Sequence, residues 1–165
     1  MPSLILEDEC LVPEKYLKIE YRGPNPFLAY QVTAPKFRDI LQMDAPDYWE
    51  RDFRWDITDD PRPFYIRIIV QKGMDSKSKI FFEIIMQGKQ PKDPSKVGEL
   101  TILIGARLTT EYKLNTPFQR TLFYKTLLKL YNFFFYYRVR RSYLDICRNL
   151  CEKIKSMYKE LLKIE

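Results

Sequence analysis

The segment KLYNFFFYYRVRR, residues 129–141, places five consecutive aromatic side chains directly before a group of three arginines. It lies within residues 118–165, which contain no proline or glycine and therefore favour one long helix. Just upstream, Thr116, Pro117 and Gln119 have the spacing of a capping box that would start this helix. If continuous, the helix would extend about 70 Å, which exceeds the width of a small domain.

Three stripes run along this predicted helix in alternating steps of four and three residues. We expect two neighbouring apolar stripes to fill the core against a sheet. They comprise Phe123, Leu127, Leu130, Phe134 and Tyr137, and Tyr124, Leu128, Tyr131 and Phe135. The third stripe cannot face the same core, so another segment covers it or a partner does. It comprises Lys129, Phe133, Tyr136, Arg140, Tyr143 and Cys147. We expect a single domain, 1–165, in which 143–165 form a projecting or bent end of the helix.

Four segments upstream of the helix alternate apolar and polar side chains with period two, as half-buried strands do: 48–58, 63–73, 78–88 and 98–113. Their short polar connectors favour antiparallel hairpins. In the first segment, one face is predicted to carry Trp49, Phe53, Trp55 and Ile57 and the other Glu50, Asp52, Arg54 and Asp56. An antiparallel sheet covered on one side is the expected architecture.

The N-terminal part of the chain adds a strand over residues 14–23 and two short helices. The helices are predicted at 25–31 and 33–43, with Thr33 as a cap and Pro35 in the first turn of the second. The segment SLILEDECLV, residues 3–12, is a candidate for one more strand. The fold class is therefore α+β, with a curved antiparallel sheet around a long C-terminal helix.

This order of elements resembles the helix-grip superfamily, which includes lipid-transfer START domains, polyketide cyclases and the birch-pollen allergen. The resemblance covers nearly the whole chain in order of elements, without a motif that matches residue by residue. It implies a curved sheet that wraps the final helix. The five or six predicted strands compare with seven in that superfamily, which contains carriers, enzymes and ribosome-associated factors.

The positive charge of the chain is concentrated in its C-terminal third. The formal net charge is +6, whereas residues 113–165 alone carry twelve Lys or Arg and four Asp or Glu. Aromatic rings beside arginines suit RNA, where rings stack on bases and guanidinium groups bind phosphate, and they also suit protein interfaces. The predicted RNA- or partner-binding residues are Lys129, Phe133, Tyr136, Arg138, Arg140, Arg141, Tyr143, Arg148, Lys155 and Lys159.

Two further sites follow from the predicted sheet. Its outer face is unusually apolar, which predicts a homodimer interface at Tyr65, Ile69, Phe81, Ile85 and Leu103. Its inner face offers the alternative function of a carrier for an apolar ligand in a cavity between sheet and helix. That cavity would be lined by Trp55, Ile68, Phe82, Ile102, Leu130 and Phe134. A third alternative is a membrane-surface role for the basic C-terminal helix.

Composition argues against an enzyme. The chain has no histidine and only five glycines, so a histidine base and a glycine-rich phosphate loop are both missing. The acidic residues of 44–60 are interpreted as a solvated charged face, and we expect neither a metal nor a cofactor. The three cysteines predict buried thiols rather than a disulfide framework, with Cys147 and Cys151 on one helix face. With no basic leader and no transmembrane run, the expected location is the cytoplasm, without integral membrane association.

The composition, rich in Lys, Glu, Ile and Tyr and poor in Asn, is typical of a thermophile. With the helix-grip order of elements and the basic C-terminal third, it resembles the archaeal ribosome dimerisation factors. That resemblance implies a homodimer that contacts rRNA and ribosomal protein on the small ribosomal subunit, bridges two such subunits, and blocks joining of the large one, as in ribosome hibernation.

Overall fold

The computed structural model describes residues 2–44 and 47–165. In these residues the elements follow in the order β1 (Ser3–Glu9), β2 (Leu17–Pro24), α1 (Leu28–Leu41), β3 (Tyr48–Trp55), β4 (Arg62–Gly73), β5 (Ser78–Gln90), β6 (Val97–Lys113), a 3-10 turn (Phe118–Arg120), α2 (Leu122–Tyr131), a π-helical turn (Asn132–Tyr136) and α3 (Tyr137–Leu162). The last three run on without a break and are called the C-terminal helix below.

Six strands in the described residues form one antiparallel sheet, in which β6 pairs with β5, β5 with β4, and β4 with β3. On its other side, β6 pairs with two successive strands. Its residues 107–113 pair with β1, and its residues 97–104 pair with β2. The two short strands therefore act as one interrupted edge strand, and the extra strand predicted within residues 3–12 is present as β1.

The core lies between the inner face of this curved sheet and two helices, α1 and α3. Alternate residues of β4, β5 and β6 are fully buried there, including Ile68, Phe82 and Ile102. Period-two alternation places all of them on one face of the sheet. The predicted α+β class is confirmed, and the architecture is compatible with a helix-grip-like fold.

One helix, α1, replaces the two short helices predicted after the first strand. Pro35 lies inside it, and the predicted cap Thr33 is buried in its middle. A proline inside a helix costs about 3 kcal/mol. Burial opposes that cost, because Ala29, Thr33, Phe37 and Leu41, spaced four residues apart, all face the core.

The expectation that residues 143–165 project or bend was wrong. Cys147, Cys151 and Ile154 are fully buried against the sheet, as is Tyr158. The end that projects is the opposite one. At about 1.5 Å per residue the C-terminal helix is about 60 Å long. Its apolar side chains are mostly exposed over residues 122–135, at the N-terminal end, and regularly buried over residues 147–162.

A β-bulge in β3 changes which of its side chains share a face. The pairing with β4 shifts between Glu50 and Asp52, so Arg51 is the extra residue. Trp49 opposes Ile69 on the outer side of the sheet, while Phe53 opposes Ile66 on the inner side. The predicted single face for Trp49, Phe53, Trp55 and Ile57 is therefore wrong at Trp49. Glu50 lies on the inner side, where it accepts a 2.6 Å hydrogen bond from Tyr30.

The cysteines also differ from expectation. Cys10, at the end of β1, forms a disulfide with Cys147 of α3, across 137 residues of sequence. Cys151 is buried and free, and it shares the inward helix face with Cys147 as predicted. The prediction of three buried thiols failed because strand pairing with β6 brings the end of β1 beside α3. The spacing of the cysteines in the sequence does not indicate that Cys10 and Cys147 lie close together.

Candidate docking site on a projecting helical arm

Residues 118–137, here called the arm, extend past the end of the sheet and expose most of their apolar side chains. Leu122, Phe123 and Phe133 are 82%, 66% and 72% exposed. The prediction that two apolar stripes fill the core was wrong, because α1 and α3, rather than this part of the helix, pack on the inner face of the sheet. In the second stripe, Tyr124 and Leu128 are half-buried. The exposed members of the two stripes are Phe123, Leu127, Leu130, Phe134 and Tyr137 from the first and Tyr131 and Phe135 from the second.

The predicted capping box is present, but it caps the 3-10 turn rather than the helix. The Gln119 backbone N–H donates to Thr116 Oγ1 over 3.3 Å, and the Thr116 backbone N–H donates to Gln119 Oε1 over 3.0 Å. The α-helix itself begins at Leu122, three residues after Gln119. Thr121 is its cap and accepts a hydrogen bond from the Tyr124 backbone N–H. The start of the arm is thus fixed by two successive local caps.

The base of the arm is held by a hydrogen-bonded chain of side chains, here called the anchor cluster. It comprises Asp75, Ser78, Thr110, Tyr136, Arg140 and Tyr143. Arg140 Nε donates to Thr110 Oγ1 over 3.1 Å, and Ser78 Oγ lies 2.8 Å from both Thr110 Oγ1 and the Tyr136 hydroxyl oxygen. The Tyr136 hydroxyl in turn donates to Asp75 Oδ2.

Each hydroxyl in this chain has a single proton, so the direction of every bond is determined. Because Tyr136 donates to the Asp75 carboxylate, Ser78 must donate to Tyr136. Thr110 must then donate to Ser78, and its own oxygen accepts from Arg140. Hydrogen bonds aligned in one direction polarise one another and rigidify a buried network. The arm therefore leaves the body of the protein from a fixed base.

A charged side chain lies at each end of the anchor cluster, Arg140 at one end and Asp75 at the other. Arg140 pairs with Asp8 of β1 at 2.5 Å, and its side chain is only 14% exposed. At the other end, Asp75 accepts from the Tyr143 hydroxyl at 2.9 Å and from two backbone N–H groups of its own turn. The cluster thus joins β1, the β4–β5 turn, β6 and the C-terminal helix.

The environment of Asp75 favours its charged form. Burial alone would raise the pKa of this carboxyl, but the hydrogen bonds that it accepts from Tyr136, from backbone N–H groups and from Tyr143 outweigh burial and lower the pKa. For Tyr136, burial is the main cause of a raised pKa, and the hydrogen bond to the Asp75 carboxylate adds to it. At neutral pH the tyrosine is therefore a neutral donor and the aspartate a charged acceptor.

The π-helical turn lies where the arm meets the anchor cluster. Asn132 at its start is buried, accepts from the Tyr112 hydroxyl at 2.9 Å and donates to the Leu128 carbonyl at 2.8 Å. Tyr136 at its end is also buried, whereas Phe133, Phe134 and Phe135 between them point to solvent. The wider turn lets two side chains four residues apart reach separate polar partners.

An aromatic cage surrounds Lys77 beside this turn. Its Nζ lies 5.1 Å from the ring centroid of Tyr112, 5.5 Å from that of Tyr131 and 5.9 Å from that of Tyr136. Three rings around one ammonium group give favourable cation–π interactions. The β4–β5 turn is therefore attached to the arm by both polar and cation–π contacts.

The predicted partner-binding residues separate into two groups. Lys129, Phe133, Arg138 and Arg141 are exposed on the arm or directly after it. Tyr136, Arg140 and Tyr143 belong to the anchor cluster, because the β4–β5 turn covers their side of the helix. The three residues further along α3 lie apart from the arm. Arg148 donates to the carbonyls of Cys10 and Val12, Lys159 donates to the Glu165 carbonyl, and Lys155 is half-buried.

The five residues predicted to form a dimer interface do share the outer face of the sheet. Ile85 lies opposite Leu103 and Phe81 opposite Arg107, with Tyr65 and Ile69 on the neighbouring strand. All five are half-buried rather than exposed. An ion pair between Arg67 and Glu83, 2.8 Å long, crosses the same face.

The six residues predicted to line a ligand cavity are not brought together. Ile68, Phe82 and Ile102 are fully buried in the core, and Trp55 packs at its margin. Leu130 and Phe134 lie on the arm, beyond the end of the sheet, and are 47% and 66% exposed. The reason is again the position of the helix, because α3 rather than the arm covers the inner face.

The acidic residues between β3 and β4 do not assemble into a metal site. Across residues 2–44 and 47–165, no group of three or more Cys, Asp or Glu side chains has the proximity that a metal ion would need. In the same residues, none of the helices combines the length and the apolar character needed to cross a membrane.

Comparison of the sequence with models of known protein families gave no match, and a search of curated proteins also gave none. The site is therefore interpreted from its own geometry.

Sequence reasoning missed Asp75, Ser78 and Thr110 of the anchor cluster and the neighbouring residues Lys77 and Asn132. A single signal was present, since Asn132 is the one amide side chain in an otherwise aromatic run, and a buried amide requires partners. The other missed residues lie in ordinary polar turns and strand ends, and their side-chain partners are at least 30 residues away in the sequence.

Proposed function

We propose that this protein is a non-enzymatic binding factor that docks on a ribosomal subunit through the arm. The observation that supports this most directly is the combination of large exposed apolar side chains with Lys129, Arg138 and Arg141 on one helix with a fixed base. A monomeric soluble protein rarely exposes an apolar surface of this extent unless a partner covers it.

The chemistry of the arm fits a surface made of both RNA and protein. Lys129, Arg138 and Arg141 are placed to contact phosphates, which give affinity without sequence preference. Phe133 and its neighbours offer rings on which unpaired bases stack or which enter apolar pockets of a ribosomal protein. A rigid base lowers the entropy lost when such an arm is immobilised on its partner.

We further propose that the protein acts as a homodimer and that the first apolar stripe, here called the arm seam, supplies the interface. The arm seam comprises Phe123, Leu127, Leu130, Phe134 and Tyr137, which are 45–66% exposed. Its spacing is that of a helix–helix seam, and a second copy presents the same seam. It exposes on the order of 500 Å² per copy, so pairing would bury about 1,000 Å². The five apolar residues on the outer face of the sheet are half-buried, so that face offers less exposed apolar area for pairing.

The alternative of an apolar-ligand carrier is less well supported. Its proposed lining residues are divided between a filled core and the exposed arm, as described above. The inner-face side chains Ile68, Phe82 and Ile102 have no exposed surface and pack in one continuous core with α1 and α3.

The test is sedimentation of cell extract from the source organism through a sucrose gradient, with tagged protein detected in each fraction. The variant R138E/R141E reverses two cations that directly follow the arm, and K92E/K153E makes the same charge change on exposed residues elsewhere. We expect the wild type and K92E/K153E to migrate with a ribosomal subunit at low salt, and R138E/R141E to stay at the top. Wild-type protein at the top at every salt concentration, or unchanged migration of R138E/R141E, would overturn the proposal.

A further inference from the structure

The outer face of the sheet carries a row of side chains that the β3 bulge creates. Strand pairing aligns Trp49 of β3, Ile69 of β4, Glu83 of β5 and Gly105 of β6 across the sheet. A Cβ atom at Gly105 would lie 2.8 Å from the ring of Tyr16, so only glycine lets that ring lie flat on the strand. Two aromatic rings, Trp49 and Tyr16, therefore stand at the two ends of one row. Bulges that re-aim a side chain are frequent beside binding sites.

Two adjoining clefts lie at the end of this face that is nearer the arm, and a third, of about 820 Å³, lies at its other end beside Tyr65, Gln87 and Lys89. One of about 540 Å³ lies over the row just described and includes Trp49, Tyr16 and Phe81. The other, of about 590 Å³, lies between the sheet and the arm and includes Phe81, Lys79 and Tyr131. Phe81 lines both clefts, so they adjoin at this ring, and together they are called the track below.

The charge of the track is strongly positive. Its lining contains seven Lys or Arg side chains and three glutamates. Arg67 is paired with Glu83, and Arg107 lies 3.7 Å from Glu7. The other five cations have no ion-pair partner among the described residues, and they are Lys15, Arg51, Lys77, Lys79 and Lys113.

One buried hydroxyl in the track also lacks a partner. Thr109 Oγ1 lies on β6 beside Lys79 of β5, and among the described residues no group hydrogen-bonds to it. A buried polar atom without a partner is uncommon, and it is a group that a bound ligand can satisfy. Beside a lysine, this hydroxyl can donate to a phosphate oxygen.

We propose that this track binds a short segment of single-stranded RNA. Phosphates contact Lys79, Arg51 and the neighbouring lysines, and bases stack on Phe81 and Trp49. Rings on the open face of an antiparallel sheet, flanked by unpaired cations, suit unstacked bases, whereas duplex RNA hides its base faces. The inference deepens the proposed function, on which it rests for RNA as the partner, by adding a second surface and naming the form of RNA.

The first experiment uses the purified full-length protein with an unlabelled 12-nucleotide oligouridine for fluorescence quenching and a fluorescein-labelled copy for anisotropy. In the variant W55F, Trp49 is the only tryptophan left and reports stacking directly. We expect the oligonucleotide to quench Trp49 fluorescence, and the binding constant measured by anisotropy to fall as salt rises. A blunt RNA duplex of the same length should bind at least tenfold more weakly. Absence of quenching by oligouridine, or equal affinity for the duplex, would overturn the inference.

Two substitutions test the track itself. W49A removes one stacking ring, and K79E reverses one cation; K89E on the same strand, at the other end of the sheet, is the matched control. W49A should weaken oligouridine binding at least about fivefold, the lower limit for losing one stacked base. K79E should weaken it because a phosphate contact is lost, while K89E should stay within about twofold. Equal binding by wild type, W49A and K79E would exclude the track.

The two proposals fail separately. R138E/R141E should abolish co-sedimentation with the ribosomal subunit and keep the Trp49 quenching by oligouridine. If oligouridine does not quench Trp49 while the wild type still co-sediments, the proposal of RNA binding by the track is wrong and the proposal of docking through the arm is retained. If Trp49 emission instead changes with protein concentration in the absence of RNA, the outer face is a contact between two copies of this chain, and the track proposal falls.

Discussion

The Tyr158 hydroxyl donates a 2.7 Å hydrogen bond to Thr33 Oγ1 in the middle of the core. The direction follows because Thr33 already donates its one proton to the Ala29 carbonyl, 2.7 Å away. Both side chains have no exposed surface, so the two helices α1 and α3 are joined by a polar contact in apolar surroundings.

This contact predicts an asymmetry between two conservative substitutions. Thr33→Val leaves the Tyr158 hydroxyl buried without a partner and should lower the free energy of unfolding by about 1–3 kcal/mol. Tyr158→Phe leaves Thr33 bonded to Ala29 and should cost only about 0.5–1.5 kcal/mol. Denaturant unfolding of both variants and of the double variant measures the difference. A larger loss for Tyr158→Phe would contradict the assigned direction.

The anchor cluster predicts a pH dependence at the base of the arm. The pKa of Asp75 is lower in the folded protein than in the unfolded chain, so its stabilising contribution is present above the unfolded value of about 3.9 and is lost as pH falls through the folded value. Asp75→Asn should therefore be less stable than wild type at pH 7, and the gap should close under acidic conditions.

Thermal melts between pH 2.5 and pH 7 measure this gap. Hydrogen exchange by mass spectrometry localises it, because backbone amides of residues 132–143 should exchange faster in Asp75→Asn at pH 7 than in the wild type. A gap that stays constant down to pH 2.5 would show that Asp75 does not act through its charge.

The disulfide between Cys10 and Cys147 predicts a large dependence of stability on reducing agent. The bond closes a loop of 137 residues, and cross-links over such distances stabilise by about 2–5 kcal/mol, mainly by restricting the unfolded chain. We expect Cys10→Ser to lower the free energy of unfolding by this amount and dithiothreitol to have no further effect on that variant.

Alkylation of the denatured wild type checks the pairing itself. One thiol, that of Cys151, should react before reduction and three after it. Three reactive thiols in protein purified without reductant would show that the bond does not form in the cell, as the original expectation of free cysteines implies.

The proposed dimer predicts different results for substitutions in the arm seam and on the outer face of the sheet. Leu127→Asp with Leu130→Asp introduces charges into the arm seam and should give monomers in sedimentation-velocity experiments. Ile85→Asp on the outer face of the sheet should leave a dimer. The opposite result would return the interface to the outer sheet face, where Ile85 and Leu103 lie opposite one another.

The sheet was largely predictable from local patterns. Alternation along β5 places Ile80, Phe82 and Ile84 inside and Phe81 and Ile85 outside, as the structure shows. This worked because the two-residue period is a local property of the chain. The same local rule failed at Trp49, where one extra residue in β3 reversed the face.

The position of the long helix was not predictable in this way. Both its aromatic first half and its last half, with Leu150, Ile154 and Tyr158, show the periodicity of a buried helix. Which half covers the sheet depends on the lengths of helix and strands and on where β6 ends. The anchor cluster was equally hidden, since Tyr136 meets Ser78 across 58 residues and Asp75 across 61.

The π-helical turn at Asn132–Tyr136 determines the direction in which the arm seam faces relative to the sheet. A π turn holds one more residue than the α-helical turn it replaces, and each residue of an α-helix turns the chain by about 100°. If the same residues instead formed a regular α-helix, the arm seam would be rotated by about that angle relative to α3. A change between a π and an α turn at this point would therefore redirect the arm seam, while every strand of the sheet keeps its register.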